Sequence, residues 1–198
     1  MQLFIATQNE GKVREFRRAF AEIVPSLELL SAKDAGLTEF PPEEGSSYVQ
    51  NATVKAVYAA QQTGLPSLGD DSGLEVEALD GAPGLYSARF GGELSNDERL
   101  AYLLGKLEDV PDTARNARFV CALVLAAPEG ERYTFWGECQ GEITRSAVGT
   151  SGFGYDPVFY SHDLHKTFAE ASKAEKERVS HRGRAVMQLG EWLNSKEG

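Results

Sequence analysis

Residues 68–90 read LGDDSGLEVEALDGAPGLYSARF. Two adjacent carboxylates (Asp70, Asp71), a hydroxyl (Ser72), four glycines and Arg89 fall within these 23 residues. An apolar approach, Leu65–Leu68, leads in. An alternating run of Leu74, Val76 and Ala78 leads out, with Glu75 and Glu77 on the other face. The pattern predicts strand, tight acidic turn, strand. Carboxylates held at a strand end by a glycine turn suit a hard cation such as Mg2+, which takes oxygen ligands and keeps waters and substrate phosphates in its shell. Asp, Ser and Gly also dominate solvated turns, and taken alone the Asp-Asp-Ser-Gly tetrad favours that plainer reading.

Upstream, Gln2–Ala6 predicts a short buried strand. The polar segment Thr7-Gln8-Asn9-Glu10-Gly11-Lys12 follows, and then a helix with Val13, Phe16, Phe20 and Val24 at helical spacing, ended by Pro25. A loop between strand and helix offers backbone N–H groups and the positive helix end to a phosphate, and Lys12 adds a charge. An N-cap at Asn9 with a solvated lysine fits the same residues equally well. The segment is not a P-loop, because Ala6 and Val13 stand where that motif requires Gly and Ser/Thr. Glu28–Leu30 predicts a second strand and Asp34–Pro42 a loop. A helix is expected from Ser46 or Ser47 to Gln62, with Val49, Ala52, Ala56 and Ala60 on one face and Gly64 as its stop. Asn51 and Lys55, four apart, share another face. Glu43 and Glu44 precede the helix, where carboxylates also complement its dipole.

Downstream, Ser95–Glu98 is a capping box opening a helix with Leu100, Leu103, Leu104 and Leu107. Pro111–Asn116 predicts a linker and Phe119–Ala127 a central buried strand. Tyr133–Trp136 and Glu138–Ile143 read as two more strands, the first forming a hairpin with the strand before it. Gly149–Phe159, GTSGFGYDPVF, is too rich in Gly, with Pro157, for helix or central strand. It reads as a loop that permits close approach of a ligand, with Phe153 and Tyr155 able to face a flat ring; an aromatic loop covering a sheet edge is the plainer reading. Thr167–Ser195 is helical in composition, and Ser180 can cap the last helix. Lys173, Lys176, His181, Arg182 and Arg184 gather positive charge there. Basic residues near a helix start oppose the dipole, a local conflict that hints at an anionic ligand.

The chain has 198 residues, 41% of them hydrophobic, enough to bury a core and exclude disorder. Its net charge of −10 argues against nucleic-acid binding, which needs a basic face. A local cluster of Lys and Arg still permits a small phosphate ligand. Cys121 and Cys139 are read as buried thiols, not as a disulfide or a zinc site. No signal peptide is expected. No segment has the roughly 18 apolar residues of a membrane helix, so a soluble cytoplasmic protein is expected.

Five segments together carry a resemblance: TQNEGK at 7–12, EEGSSYVQNATVKA at 43–56, DDSGLEVEALDGAPGLYSARF at 70–90, GFGYDPVF at 152–159 and KAEKERVSHRGRA at 173–185. The chain resembles the inosine triphosphate pyrophosphatase family, the Ham1-like or dITP/XTP pyrophosphatases. The resemblance implies an α/β fold: a long mixed β-sheet with flanking helices and two lobes around a central cleft, as a single domain over 1–198, usually a homodimer. It implies Mg2+-dependent hydrolysis of deaminated purine nucleoside triphosphates (ITP, dITP, XTP) to monophosphate and pyrophosphate, keeping them out of DNA and RNA. Carried over by position, Thr7, Gln8, Asn9, Glu10, Gly11 and Lys12 resemble the phosphate-binding loop. Asp71 resembles the general base and a metal ligand, and Ser72 a substrate contact. Glu43 resembles the second metal carboxylate, with Glu44 its competitor. Lys55 resembles a phosphate contact. Phe153, Gly154, Tyr155 and Asp156 resemble the base-binding loop, and Lys176, His181 and Arg182 the remaining nucleotide contacts. Where many relatives read Glu-Asn-Ala, this chain has Gln50-Asn51-Ala52.

On this reading Asp71 deprotonates a water that attacks the α-phosphorus. Donors from Arg182, His181 and the 153–156 backbone select the C6 keto oxygen. A pyrophosphatase for modified pyrimidine nucleotides (Maf-like) is the nearest rival, disfavoured by GFGYDPVF and Ser180-His181-Arg182. A nucleotide sensor without turnover is disfavoured by the Asp70-Asp71 pair. An RNA-binding or structural role is disfavoured by the net charge.

Overall fold

Apolar Leu3, Phe4 and Ile5 build β1 (Gln2–Ile5), a strand buried on both faces. The chain continues through α1 (Glu10–Ile23), β2 (Glu28–Ser31), α2 (Tyr48–Thr63) and β3 (Ser67–Val76). The structure is a computed structural model describing residues 1–37 and 39–197, the side chain of residue 197 excepted. Residue 38 of the expected 34–42 loop therefore lies outside the described residues. Both β2 and β3 pair parallel with β1, with Ile5 opposite Ser31 on one side and Leu68 on the other.

Parallel neighbours need crossover connections, and these are right-handed. The two crossovers go to opposite sides of β1, so α1 and α2 cover opposite faces of the sheet. The cores show it. Leu3, Ile5 and Leu68 pack with Val13, Phe16 and Phe20 of α1, while Phe4 and Ala6 pack with Ala59 of α2. The carboxyl end of β1 is thus a topological switch point, where open α/β sheets bind ligands.

The remaining elements are α3 (Asn96–Lys106), β4 (Asn116–Ala126), β5 (Arg132–Ile143), β6 (Phe159–Ser161), β7 (Lys166–Thr167), α4 (Lys173–Val179) and α5 (His181–Glu197). The sheet is mixed, in the order β2-β1-β3-β4-β5-β6-β7, and β5, β6 and β7 pair antiparallel. The expected capping box opens α3. Ser47 caps α2, which stops at Gly64 in the left-handed conformation. Both cysteines are free and buried, and burial pushes the Cys121 thiol up to about 12, which leaves it inert. No helix among the described residues is long and apolar enough to cross a membrane.

The chain divides into two compact units: Met1–Asp71, Cys121–Gly137 and the segment from Arg182 onward, and Ser72–Val120 with Glu138–His181. In the first, Leu68, Cys121, Leu123, Leu125, Phe135, Val186 and Leu189 join the α1-side core. In the second, Leu74 and Val76 pack with Leu103, Phe119, Val158, Phe159 and Phe168.

Four sequence expectations change. The acidic turn does not exist, because Asp70, Asp71 and Ser72 lie inside the continuous strand β3. The glycines there do not turn the chain. A Cβ on Gly69 would run into the Ala52 carbonyl and come within 2.7 Å of the Ala56 nitrogen, so Gly69 lets α2 approach the strand closely. Alternation ends at Val76, and Ala78 is exposed in a single 3-10 turn over Glu77–Leu79. Gly137 does not split β5, whose alternating burial runs through it. Thr167, counted with the C-terminal helical stretch, belongs to β7, while Ser180 is extended between α4 and α5 and immediately precedes the last helix, where its cap was expected. Of the two readings of the 7–12 segment, the N-cap at Asn9 holds: its side chain accepts from Gly11 and Lys12 N–H, and Glu10, Gly11 and Lys12 form the first turn of α1.

Candidate active site

Successive side chains of a strand point to opposite faces. Leu68 belongs to the α1 side, so Asp70 faces that side and Asp71 the α2 side. Their partners agree. Lys12, in the first turn of α1, donates its Nζ to Asp70 Oδ2 at 2.6 Å, and Arg182 Nε of α5 stands 3.9 Å from the same oxygen. Arg182 also pairs with Glu15. On the other face, Asn51 Nδ2 of α2 donates to Asp71 Oδ2 at 2.8 Å, and Asn51 Oδ1 accepts the Gly45 N–H at 2.8 Å. Lys55, one helical turn on, bonds the Glu43 carboxylate and the Asp70 carbonyl.

This arrangement separates two chemically identical groups. Burial pushes both carboxyls up. At Asp70 the charges of Lys12, Lys55 and Arg182 outweigh burial and hold the carboxyl well below the usual carboxylate range. At Asp71 burial prevails over the Asn51 hydrogen bond and the Lys55 charge, with Glu43 adding to the rise, and the carboxyl sits at about 6. Burial disfavours the charge on Lys55, yet Asp70, Glu43 and Asp71 together raise it above the ordinary lysine value. A permanently ionised anion and a carboxyl poised near neutrality therefore sit one peptide apart. The second is suited to general-base work.

Glu43 and Asp71 supply a donor set of carboxylate oxygens, and Glu43 contributes to the raised Asp71 carboxyl. Mg2+ is commonly held by one or two carboxylates plus substrate phosphates, so the pair fits such an ion. No cluster of three acidic, His or Cys ligands exists among the described residues. At the carboxyl end of β1, Thr7, Gln8 and Glu10 line a cavity of about 360 Å³ with Ser31, Lys33 and Gly36.

In the second unit the 152–156 loop is built on Asp156. Its buried carboxylate accepts the Phe153 N–H at 2.8 Å and the Lys176 Nζ at 2.6 Å. Gly152, at φ +82°, is required, since a Cβ would collide with that carboxylate. The Lys176 ammonium lies 5.0 Å from the centre of the half-buried Phe153 ring and 5.4 Å from that of Phe168, cation–π geometry. His181 stacks on Phe119 at 4.7 Å, with the rings 10° from parallel.

The Ham1 family model matches residues 3–192. The chain belongs to the Ham1 family. Among its relatives, the dITP/XTP pyrophosphatase of Thermus thermophilus is 47% identical over 189 residues, covering 96% of this chain and 90% of that one. The dITP/XTP pyrophosphatase of Geobacter sulfurreducens is 48% identical over 195 residues, covering 97% and 96%. The solved HAM1 protein from Coxiella burnetii superposes with a TM-score of 0.87 at 36% identity, covering 98% and 99% of the two chains. The Staphylococcus aureus Ham1 protein gives 0.85 at 37%, covering 99% and 100%.

In this Ham1-family chain the candidate residues fall into two sets. Lys12, Glu43, Lys55, Asp71 and Arg182 meet around Asp70 in the first unit, and Phe153, Asp156 and Lys176 meet in the second. Thr7 is buried and accepts the Asn9 N–H at 3.2 Å, while Gln8, Asn9 and Glu10 are exposed. Ser72 is half-buried on β3, and Gly154 is a left-handed turn residue at φ +61°. Tyr155 departs from expectation. Its ring is buried in the core and its hydroxyl donates to the Ser87 carbonyl at 2.8 Å, so Phe153 is left as the ring that can meet a base. Residues not nominated from sequence are Asp70, Asn51, Glu15 and Phe119. The four-residue spacing of Asn51 and Lys55 was a usable signal for Asn51. Nothing local marks Glu15, whose partner is 167 positions away.

Proposed function

We propose that this chain is a nucleoside-triphosphate pyrophosphohydrolase that converts dITP, ITP and XTP to the nucleoside monophosphate and pyrophosphate. The carrying observation is the Asp71 carboxyl, poised at about 6 beside Lys55 and a second carboxylate, Glu43. The names of the Thermus and Geobacter relatives support the substrate class. In the reaction, a water oxygen bonds to the α-phosphorus, the bond from that phosphorus to the β-phosphate oxygen breaks, and Asp71 takes the water proton. Lys12, Lys55 and Arg182 supply positive charge for the phosphate oxygens, the usual demand of phosphoryl transfer. Mg2+, held by Glu43 and Asp71, would neutralise phosphate charge and acidify water.

Hypoxanthine and xanthine carry a keto oxygen where adenine carries an amino group. A donor aimed at that oxygen rejects adenine by being left unpaired. His181 is the side-chain donor assigned to it, and the Phe153 ring is assigned to stacking. The Phe153 N–H, bonded to Asp156, is not available for this role. Guanine shares the keto group, so its 2-amino group must be excluded by shape or by a second donor.

Pyrophosphate release from ITP, XTP, dITP, GTP and ATP, each with and without Mg2+, tests this reading. Metal-dependent turnover of the first three, with little from the last two, is expected. Equal turnover of all five would break the base assignment, and tight binding without turnover would make the protein a sensor. We also place the protein in the cytoplasm as a homodimer, for which light scattering should read twice the chain mass.

A further inference from the structure

Asp70 takes no part in the steps above, yet its side chain has no solvent exposure and is ion-paired with Lys12. Its carboxylate receives Lys12 at 2.6 Å, Arg182 Nε stands 3.9 Å away, and Lys55 is bonded to its carbonyl. These are three of the cations the reaction asks to meet phosphates. Burying a carboxylate is costly, and a fixed negative charge a few ångströms from bound phosphates opposes their binding. A site shaped for affinity alone would carry a neutral residue here.

We propose that Asp70 is a stand-in anion for the phosphates. Before nucleotide arrives it keeps Lys12 and Arg182 aimed. Once phosphates are bound, its charge opposes their retention and hastens pyrophosphate release. Asp70 is thus a positioning residue acting through Lys12 and Arg182, a role that rests on the phosphate-site reading above.

The test is calorimetric binding of inorganic pyrophosphate, without divalent ions, to the wild-type protein, Asp70→Asn, Asp70→Glu, Lys12→Met and the Asp70→Asn/Lys12→Met double variant. Asp70→Asn keeps the shape and removes the charge, so it should bind pyrophosphate about 10- to 100-fold more tightly. Both KM and kcat for ITP should fall in that variant as release slows. Asp70→Glu should restore the wild-type balance, and the double variant should lose the gain. A residue with a merely structural role would weaken binding instead. Unchanged or weaker binding by a folded Asp70→Asn protein overturns the proposal. If Asp70→Asn does not fold, Lys12→Met decides, since that lysine side chain is 17% exposed and its removal leaves the backbone intact. Without its shield the Asp70 charge should weaken pyrophosphate binding about 100-fold or more, and a loss under about fivefold overturns the proposal. Wild-type protein that fails to bind pyrophosphate overturns it too. Failure to hydrolyse ITP, with pyrophosphate binding intact, counts against the proposed activity alone.

Discussion

Asp71→Asn should abolish most turnover and, at the same time, make the metal-free protein more stable. General-base catalysis contributes about 10²- to 10⁴-fold, so ITP hydrolysis should fall by about that factor or more. The stability gain follows from the raised carboxyl. An unfolded Asp71 loses its proton near the ordinary aspartate value of 3.8, whereas the folded one keeps it to about 6. Below about pH 4 the residue is neutral in both states and carries no penalty. Between about 4 and 6 the unfolded state ionises first, so stability declines as pH rises. Above about 6 the full penalty remains, about 2–3 kcal/mol. Asn keeps the Asn51 contact site and carries no charge. Its melting temperature at pH 7.5 should exceed wild type by about 4–8 °C, and the difference should vanish near pH 4. Mg2+ should raise the melting temperature of the wild type and have little effect on the variant. A variant less stable than wild type at pH 7.5 would show that Asp71 is not held against its own charge.

Asp156→Ala should be the most destabilising of the substitutions considered. Breaking a buried ion pair by removing one partner costs about 3–5 kcal/mol, because the other charge is left uncompensated. Here the stranded group is Lys176, and the Phe153 N–H loses its acceptor as well. The loop that presents Phe153 would lose its support, so KM for ITP should rise more than kcat falls. Lys176→Met alone strands Asp156 in the same way. The double variant strands neither, so urea denaturation of all three proteins should give a cost for the pair well below the sum of the singles. Additive costs would mean that the two groups do not act as a pair.

Elements with strong local signals were legible in the sequence. The α2 stop at Gly64 and the α3 capping box were read correctly because each depends on residues within one helical turn. The acidic stretch was misread for the opposite reason. Asp-Asp-Ser-Gly has turn propensity, but its strand conformation is dictated by cations far along the chain, Lys12 and Arg182, and by a helix that needs Gly69 for clearance. Tertiary context overrides propensity most easily where buried charge must find partners. The two short strands β6 and β7 left too little pattern to read. For the site, the family motifs nominated the chemistry-bearing residues. The role of Asp70 and the core location of Tyr155 emerged from three-dimensional packing.

The register of β3 has one more consequence. Positions 70 and 71 hold the same amino acid, so the polypeptide carries no chemical label saying which is the base. The label is Leu68 lying opposite Ile5. A slip of one residue would turn each carboxylate to the other face of the sheet, Asp71 to the α1 side and Asp70 to the α2 side. The strand would be unaltered in composition, yet neither carboxylate would keep its partners. In this fold, the identity of the proposed base is an address set by strand pairing, and a deletion near Leu68 would be misdelivery more than damage.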